Sequence, residues 1–194
     1  MNKDYYKQQF QKNFDDLGFN INWKLLDLEI DIHIIKKSDN LFSQGKLANK
    51  IYYLHTGVVR YVSVTDQGKE FTQAFAQAPN IIGSTRAMVT QGPALFSIQA
   101  LEDCIITSFD WQLFINRMSL DTEFLKCYVS FLENIFIKKE ERENEFVKES
   151  AQTRYLNFCV QYPNLKDTLP KQQIASYLGI TAVALSRIRT ILKQ

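Results

Sequence analysis

Two histidines and three cysteines are the full stock of imidazole and thiol in 194 residues, and their spacing gives them little chemistry to share. His33 and His55 stand apart with no companion carboxylate motif, so neither an acid–base site nor a metal centre is expected. Cys104, Cys127 and Cys159 form no Cys-x-x-Cys pair and read as reduced cytosolic thiols filling apolar positions. No nucleophile–base pair is visible, so an enzyme is not expected. The usable chemistry lies at the far end of the chain, where Thr181, Ala182, Val183, Ser186, Arg187, Arg189 and Thr190 set hydroxyls, guanidinium groups and methyl groups at helical spacing. Such a set can read base edges: Arg187 can pair with guanine through two hydrogen bonds, and Ala182 or Val183 can meet a thymine methyl. Lys171, Gln172 and Lys193 are candidates for phosphate contacts. Charge points the same way. Residues 151–194 hold six basic residues against one acid, while the first 150 hold 17 basic and 20 acidic ones. A basic terminal module on a mildly acidic body is the distribution expected of a chain that touches a polyanion.

Two short helices meeting at a glycine must position these groups. Pro170 suits a first helical position, where its missing donor would be unpaired anyway, and Lys171 to Leu178 follows with Ile174, Ala175 and Leu178 on one face. Gly179 ends that helix, Thr181 caps the next, and Leu185, Ile188 and Leu192 turn inward along a helix running to the end of the chain. A small Ala175 at the crossing, Gly179 in the turn, and Ile180, Leu185 and Ile188 as anchors complete a helix-turn-helix pattern. Just upstream, Tyr155, Phe158, Cys159 and Tyr162 mark a helix that Pro163 stops, after which the chain turns through Asn164 to Leu169.

Between Asp121 and Glu149 the apolar period is that of one long amphipathic helix, with Leu125, Tyr128, Leu132 and Ile135 flanked by Val129 and Phe136. That stripe suits packing on the chain's own sheets or on a second copy across a two-fold axis, and the homodimer is favoured. Lys138 to Glu145 reads as a solvated helix face with opposite charges three and four apart. From Leu28 to about Phe109 strand patterns dominate, as in an antiparallel barrel or sandwich. Leu28 to Ile34 alternates as a strand with one wet face, His33 falling on the polar phase, and Asp66-Gln67-Gly68 reads as a hairpin turn. At 45% apolar and 23% charged residues the composition is that of a folded protein. No run approaches the ~18 apolar residues of a bilayer span, and the start lacks the apolar core of a signal peptide, so a cytoplasmic location without membrane partners is expected.

At this point the sequence resembles the Crp/Fnr family of bacterial transcription regulators over nearly its whole length. The first part is similar to the family's cyclic-nucleotide-binding-type domain in Leu41-Phe42-Ser43-Gln44-Gly45, Ile51 to Arg60, Gly68-Lys69-Glu70 and Ile98 to Asp103. The last part is similar in Arg154 to Phe158, Tyr162-Pro163, Ile174 to Thr181 and Leu185 to Arg189. The resemblance implies an α+β fold: an N-terminal antiparallel β-roll of the double-stranded β-helix or jelly-roll type, a long central dimerisation helix and a C-terminal helix-turn-helix. The expected domains are 1–120, 121–149 and 150–194. With the chain ending at Gln194, the wing that follows the helix-turn-helix in the family is expected to be truncated or absent. Implied partners are double-stranded DNA bearing an inverted repeat, a second copy of the chain through Leu125, Tyr128, Leu132 and Ile135, and RNA polymerase.

The departures from the family pattern bear on the effector. Relatives that bind cyclic AMP carry a Gly-Glu-x-x-Gly loop whose Glu holds the ribose and a later Arg-Ser pair whose Arg neutralises the phosphate. Here the loop reads Pro79-Asn80-Ile81-Ile82-Gly83 and the later pair is Ala94-Leu95. Burying an unpaired phosphate is costly, so cyclic AMP is not expected and no cofactor is assigned. Asn80, Gly83, Ser84 and Arg86 are the residues left to hold an unidentified small effector, with an empty or packed-in pocket as the alternative. The iron–sulfur branch is not expected either, its N-terminal cysteine cluster being absent. Where the family reads bases with a charged pair this chain has Ala182 and Val183, and only the later arginine is kept, as Arg187. The competing reading is therefore a degenerate sensor-fold module that binds another protein without reading DNA.

Overall fold

The run Ile51-Tyr52-Tyr53-Leu54 is apolar on both phases of a strand, which only a place covered on both faces satisfies. In the computed structural model, which describes residues 2–25 and 29–192, this run lies in β3 (Lys50–Thr56), an inner strand of an antiparallel sheet. That sheet orders β1 (Asp31–Ile35), β8 (Cys104–Asp110), β3 and β6 (Asn80–Ile82). A second sheet orders β2 (Asn40–Phe42), β7 (Ser97–Ala100), β4 (Val58–Val64) and β5 (Glu70–Gln77). Tyr52, Leu54, Ile82 and Ile106 of the first sheet meet Phe42, Val59, Ala76 and Ile98 of the second in one apolar cluster, which makes a sandwich.

Ile51, Tyr53 and Phe109 point to the other side of the first sheet. There α1 (Lys3–Asp15), α3 (Trp111–Met118) and the start of α4 (Thr122–Lys148) cover them with Phe10, Phe14, Phe114, Met118, Phe124 and Cys127. Gly57 joins β3 to β4 with φ +98°, and a Cβ there would lie 2.5 Å from Cys104 Sγ, so the sheet change needs glycine. The hairpin between β4 and β5 closes through the Gly68 N–H to Thr65 O at 2.8 Å, as the turn residues lead one to expect.

By its contacts the chain divides into two compact units, residues 1–63 with 74–131 and residues 64–73 with 132–194. The second holds the hairpin tip, the rest of α4, and α5 (Ala151–Gln161), α6 (Leu165–Thr168), α7 (Lys171–Leu178) and α8 (Ala182–Ile191). The α+β class, with the strands gathered between Asp31 and Asp110 and a helical part after them, is thus as the sequence suggests, while α1 ahead of the strands is not marked in that reading.

Three local expectations need correction. The polar phase of β1 is not wet at His33: that residue shares the face of Ile106 and Ile35, which looks into the sandwich, and its Nε2 lies 2.8 Å from the buried Ser108 Oγ. Ile34, on the opposite phase, is instead 52% exposed. Where a plain turn was expected after Pro163, α6 forms and buries Leu165. The last helix ends at Ile191, leaving Leu192 38% exposed rather than inward. Leu28 and Lys193 lie outside the described residues.

Candidate nucleic-acid interface

Helix α7 begins directly after Pro170 and stops at Gly179, whose φ of +69° is the left-handed conformation that favours glycine. The Ile180 N–H donates to Ala175 O at 3.0 Å across this turn. Thr181 then starts α8, its Oγ1 accepting from the Ala184 N–H at 3.2 Å. Ile174, Ala175, Leu178 and Leu185 are buried to 2% exposure or less where the helices cross. Local sequence thus dictates each part of the helix-turn-helix: proline to start, glycine to turn, threonine to cap, and four apolar anchors.

The free face of α8 presents Thr181, Val183, Arg187 and Thr190, with Ala182 and Ser186 half-buried beside them. Lys171 at the start of α7 reaches this face, its Nζ donating to Ser186 Oγ at 3.4 Å, and Gln172 beside it is exposed. The Thr190 hydroxyl donates back to Ser186 O at 3.0 Å, and the residue stays exposed. Arg189 does not join them. Its Nη2 donates to Lys166 O at 2.7 Å and its guanidinium lies 5.5 Å from the Tyr155 ring, so it ties α8 to α5 and α6 instead of facing outward. The reason is helical geometry: a step of two residues turns the side chain through about 200°, so Arg187 and Arg189 cannot share a face.

Arg154 is also drawn inward, donating through Nη1 to Glu149 O at 2.7 Å and through Nε to Leu178 O at 3.3 Å. The basic excess of the last 44 residues is therefore partly structural. Arg142, in the run that reads as a solvated face, is likewise enclosed: its guanidinium lies 3.8 Å from the Tyr177 ring and 4.9 Å from the Phe146 ring, and Nη2 donates to Tyr177 O at 2.8 Å. Burial lowers the pKa of Arg142 from its ordinary value, against the pull of Tyr177 and Tyr162. The clue available in the sequence is Phe146-Val147, two apolar residues inside a charged run.

The four candidate effector residues gather around β6 and α2 (Thr85–Thr90) without aiming a cation into a cavity. Ser84, 1% exposed, caps α2 by accepting from the Ala87 N–H at 3.3 Å; Gly83 is half-buried and Asn80 exposed. Arg86 is exposed and donates to Pro93 O at 2.7 Å. A buried cation stands elsewhere: Arg60, 4% exposed within β4, donates through Nε and Nη2 to Gln99 Oε1 at 2.8 and 2.6 Å. The apolar run around it hid this residue from the sequence reading. The histidines occupy opposite faces of the first sheet. His55 packs between the Tyr6 and Tyr53 rings at 4.8 and 4.7 Å, with Nε2 3.0 Å from Thr107 Oγ1, and burial pulls its pKa down to about 4. Cys104 and Cys127 are buried, which pushes both thiols up to about 11.

Of the stripe expected to face a second copy, Tyr128 faces its own core, its ring 5.8 Å from Trp111 and stacked 6.0 Å from Phe124. Leu125, Val129 and Phe136 are 38%, 52% and 63% exposed, and Leu132 and Ile135 are half-buried. The helix carries two apolar stripes one position apart, and a 3-4-3 spacing alone cannot say which one the chain covers itself.

Residues 32–121 match the family model of the cyclic nucleotide-binding domain. The chain is 21% identical over 165 residues to the fumarate and nitrate reduction regulatory protein of Vibrio cholerae, covering 79% of this chain and 65% of that one. It thus spans just under two thirds of that relative's length. Its fold is shared with FixK2 from Bradyrhizobium japonicum, at TM-score 0.73 and 17% identity over 86% of this chain and 85% of that one. A protein of Thermus thermophilus described as a transcriptional regulator of the CRP/FNR family matches at TM-score 0.68 and 12% identity over 84% of this chain and 86% of that one. A cyclic nucleotide-binding-type sandwich, a long helix and a helix-turn-helix thus follow one another along one chain, and in sequence and fold the chain is similar to regulators of the Crp/Fnr family.

Proposed function

We propose that the protein is a transcription regulator, not an enzyme, that binds an inverted-repeat operator as a homodimer in the cytoplasm without requiring cyclic AMP. The observation that carries this is α8 itself, capped at Thr181 and anchored by Leu185, with Val183 and Arg187 free and Lys171 at its flank. Arg187 would pair with guanine, the methyl groups of Ala182 and Val183 would meet thymine, and Lys171 and Gln172 would hold phosphates. The dimer would form through Leu125, Val129 and Phe136 of α4, which are exposed, with the half-buried Leu132 between them, two-fold symmetry placing the recognition helices ~34 Å apart on one face of the duplex. Independence from cyclic AMP rests on the loop Pro79 to Gly83, which has no carboxylate for the ribose, and on Arg86, which is engaged with Pro93 O. RNA polymerase is the further partner that transcription control implies.

One observation favours the rival reading of a protein-binding module: with Arg189 turned inward, Arg187 is the one arginine on the free face of α8 among the described residues. Selection of bound sequences from random duplex DNA by the purified chain, without added ligand, decides between them. An enriched inverted repeat whose affinity falls with salt at a slope of about −0.9 per phosphate contacted supports the proposal. Absence of any enriched sequence moves the protein-binding reading to the front.

A further inference from the structure

The end of α4 and the start of α5 grip the helix-turn-helix at its turn. Phe146 lies between two guanidinium groups, Arg142 and Arg154, each 4.9 Å from its ring centre. The same two arginines donate to Tyr177 O and Leu178 O, carbonyls of the last turn of α7. Cations belong there on electrostatic grounds as well, the C-terminus of a helix being its negative end. Phe146 also closes over Gly179: a Cβ at that position would lie 2.8 Å from its Cε1. Asn157 Nδ2, donating to Glu145 Oε1 at 2.6 Å, ties α5 to α4 one turn away. All of these residues lie within the second compact unit.

On the reading of α8 as the DNA-reading helix, we infer that Arg142, Phe146 and Arg154 are its positioning residues, fixing the turn before α8 to the end of α4. None of the three is on the free face of α8, so they act through the turn and not on the bases. The stripe proposed to pair two copies belongs to the same α4. Its grip on Gly179 would thereby set the separation and angle of two recognition helices in a dimer, and so the half-site spacing that is read. Arginine is suited to this role in a way lysine is not, because a planar guanidinium stacks on an aromatic ring while still donating to a carbonyl.

The test compares the full chain with its Arg142→Ala, Arg142→Lys and Phe146→Leu variants. Three readouts are taken: affinity for the selected duplex, affinity for an unrelated duplex, and hydrogen exchange of the amides from Gly179 to Leu185. Loss of the grip is expected to cost Arg142→Ala about tenfold in specific affinity, or about 1.4 kcal/mol, with binding to unrelated DNA nearly unchanged and faster exchange at the turn. Arg142→Lys should recover little of either effect, lacking the planar stack. Phe146→Leu, which keeps an apolar side chain and remains a test if Arg142→Ala does not fold, should speed exchange at the same amides. Unchanged exchange and unchanged specific affinity in the folded variants would overturn the inference. Equal losses on both duplexes would also overturn it, since they point to general unfolding of the unit. If the parent chain selects no duplex, the DNA reading fails, and the exchange data still decide whether the grip exists.

Discussion

Arg187 and Arg189 are two residues apart in one helix, and the structure places them on opposite sides of it, Arg187 in solvent and Arg189 on Lys166 O. Arg187→Ala removes a side chain in solvent, so stability should stay within about 0.5 kcal/mol of the parent, while affinity for the selected duplex falls by about 1–3 kcal/mol and preference relaxes at one base of each half-site. Arg189→Ala removes a charged hydrogen bond of 2.7 Å to Lys166 O and a ring contact at 5.5 Å from Tyr155. Hydrogen bonds to charged groups contribute about 1.5–3 kcal/mol, and a distant, half-exposed cation–ring contact adds ~0.5 kcal/mol at most. A loss of about 2 kcal/mol follows, equivalent to about 1–2 M in urea midpoint for a unit whose slope is ~1–2 kcal/mol/M. Tryptophan fluorescence during urea unfolding reports the first unit alone, since Trp23 and Trp111 both lie in it, whereas helical circular dichroism reports both units. The Arg189→Ala loss should appear in the helical transition and leave the tryptophan transition in place. A variant Arg189→Ala that unfolds like the parent but reads a different base would refute the inward placement, and with it the reason for assigning base contact to Arg187 alone.

Two further outcomes follow from the geometry. Val129→Glu should give monomers by sedimentation with little loss of monomer stability, because Val129 is 52% exposed, whereas Tyr128→Ala, which strips a ring from the core beside Trp111, should cost about 1–3 kcal/mol; a Val129→Glu chain that stays dimeric would place the interface elsewhere. His55 is held neutral in the folded state with its pKa near 4 against an ordinary 6.5, so the unfolded chain binds the extra proton between those values. Stability should therefore be complete above about 6.5 and fall as the pH drops towards about 4. The slope should be smaller in His55→Gln, and an identical pH profile in that variant would remove His55 as its source.

Much of the fold is legible because its determinants are local or periodic. The doubly apolar run Ile51 to Leu54 announces an inner strand, Asp66-Gln67-Gly68 a hairpin, and Pro170, Gly179 and Thr181 the bounds of two helices. What the pattern misplaces is which side of an element the rest of the chain covers. His33 sits on the polar phase of β1, yet that phase looks into the sandwich, where Ser108 supplies a hydrogen-bond partner for the half-buried imidazole. In α4 the stripe containing Tyr128 and the stripe containing Val129 are one residue apart. The rings of Trp111 in α3 and of Phe124 decide that Tyr128 is the member of the first that the chain covers, while Leu125 stays 38% exposed.

The site shows the same limit in its charges. A count of basic residues sees six in the last segment and treats them as one patch, but a guanidinium is also the group best able to satisfy helix-terminal carbonyls. Arg154 ends up on Leu178 O and Arg189 on Lys166 O. Neither carbonyl can be identified as a target until the helices and their ends are known, so the count of basic residues alone does not separate structural arginines from free ones. Periodicity does separate Arg187 from Arg189 once Leu185 is recognised as the anchor. Arg189 lies only four residues along the helix from Leu185, on its buried side, while Arg187 lies two residues away and must point outward. The net charge of the segment therefore overstates its attraction for a polyanion. On the proposed function, base reading would come from Arg187 and the methyl groups at the start of α8, with Lys171 on phosphate, a set in which apolar contact would carry more of the reading than charge does.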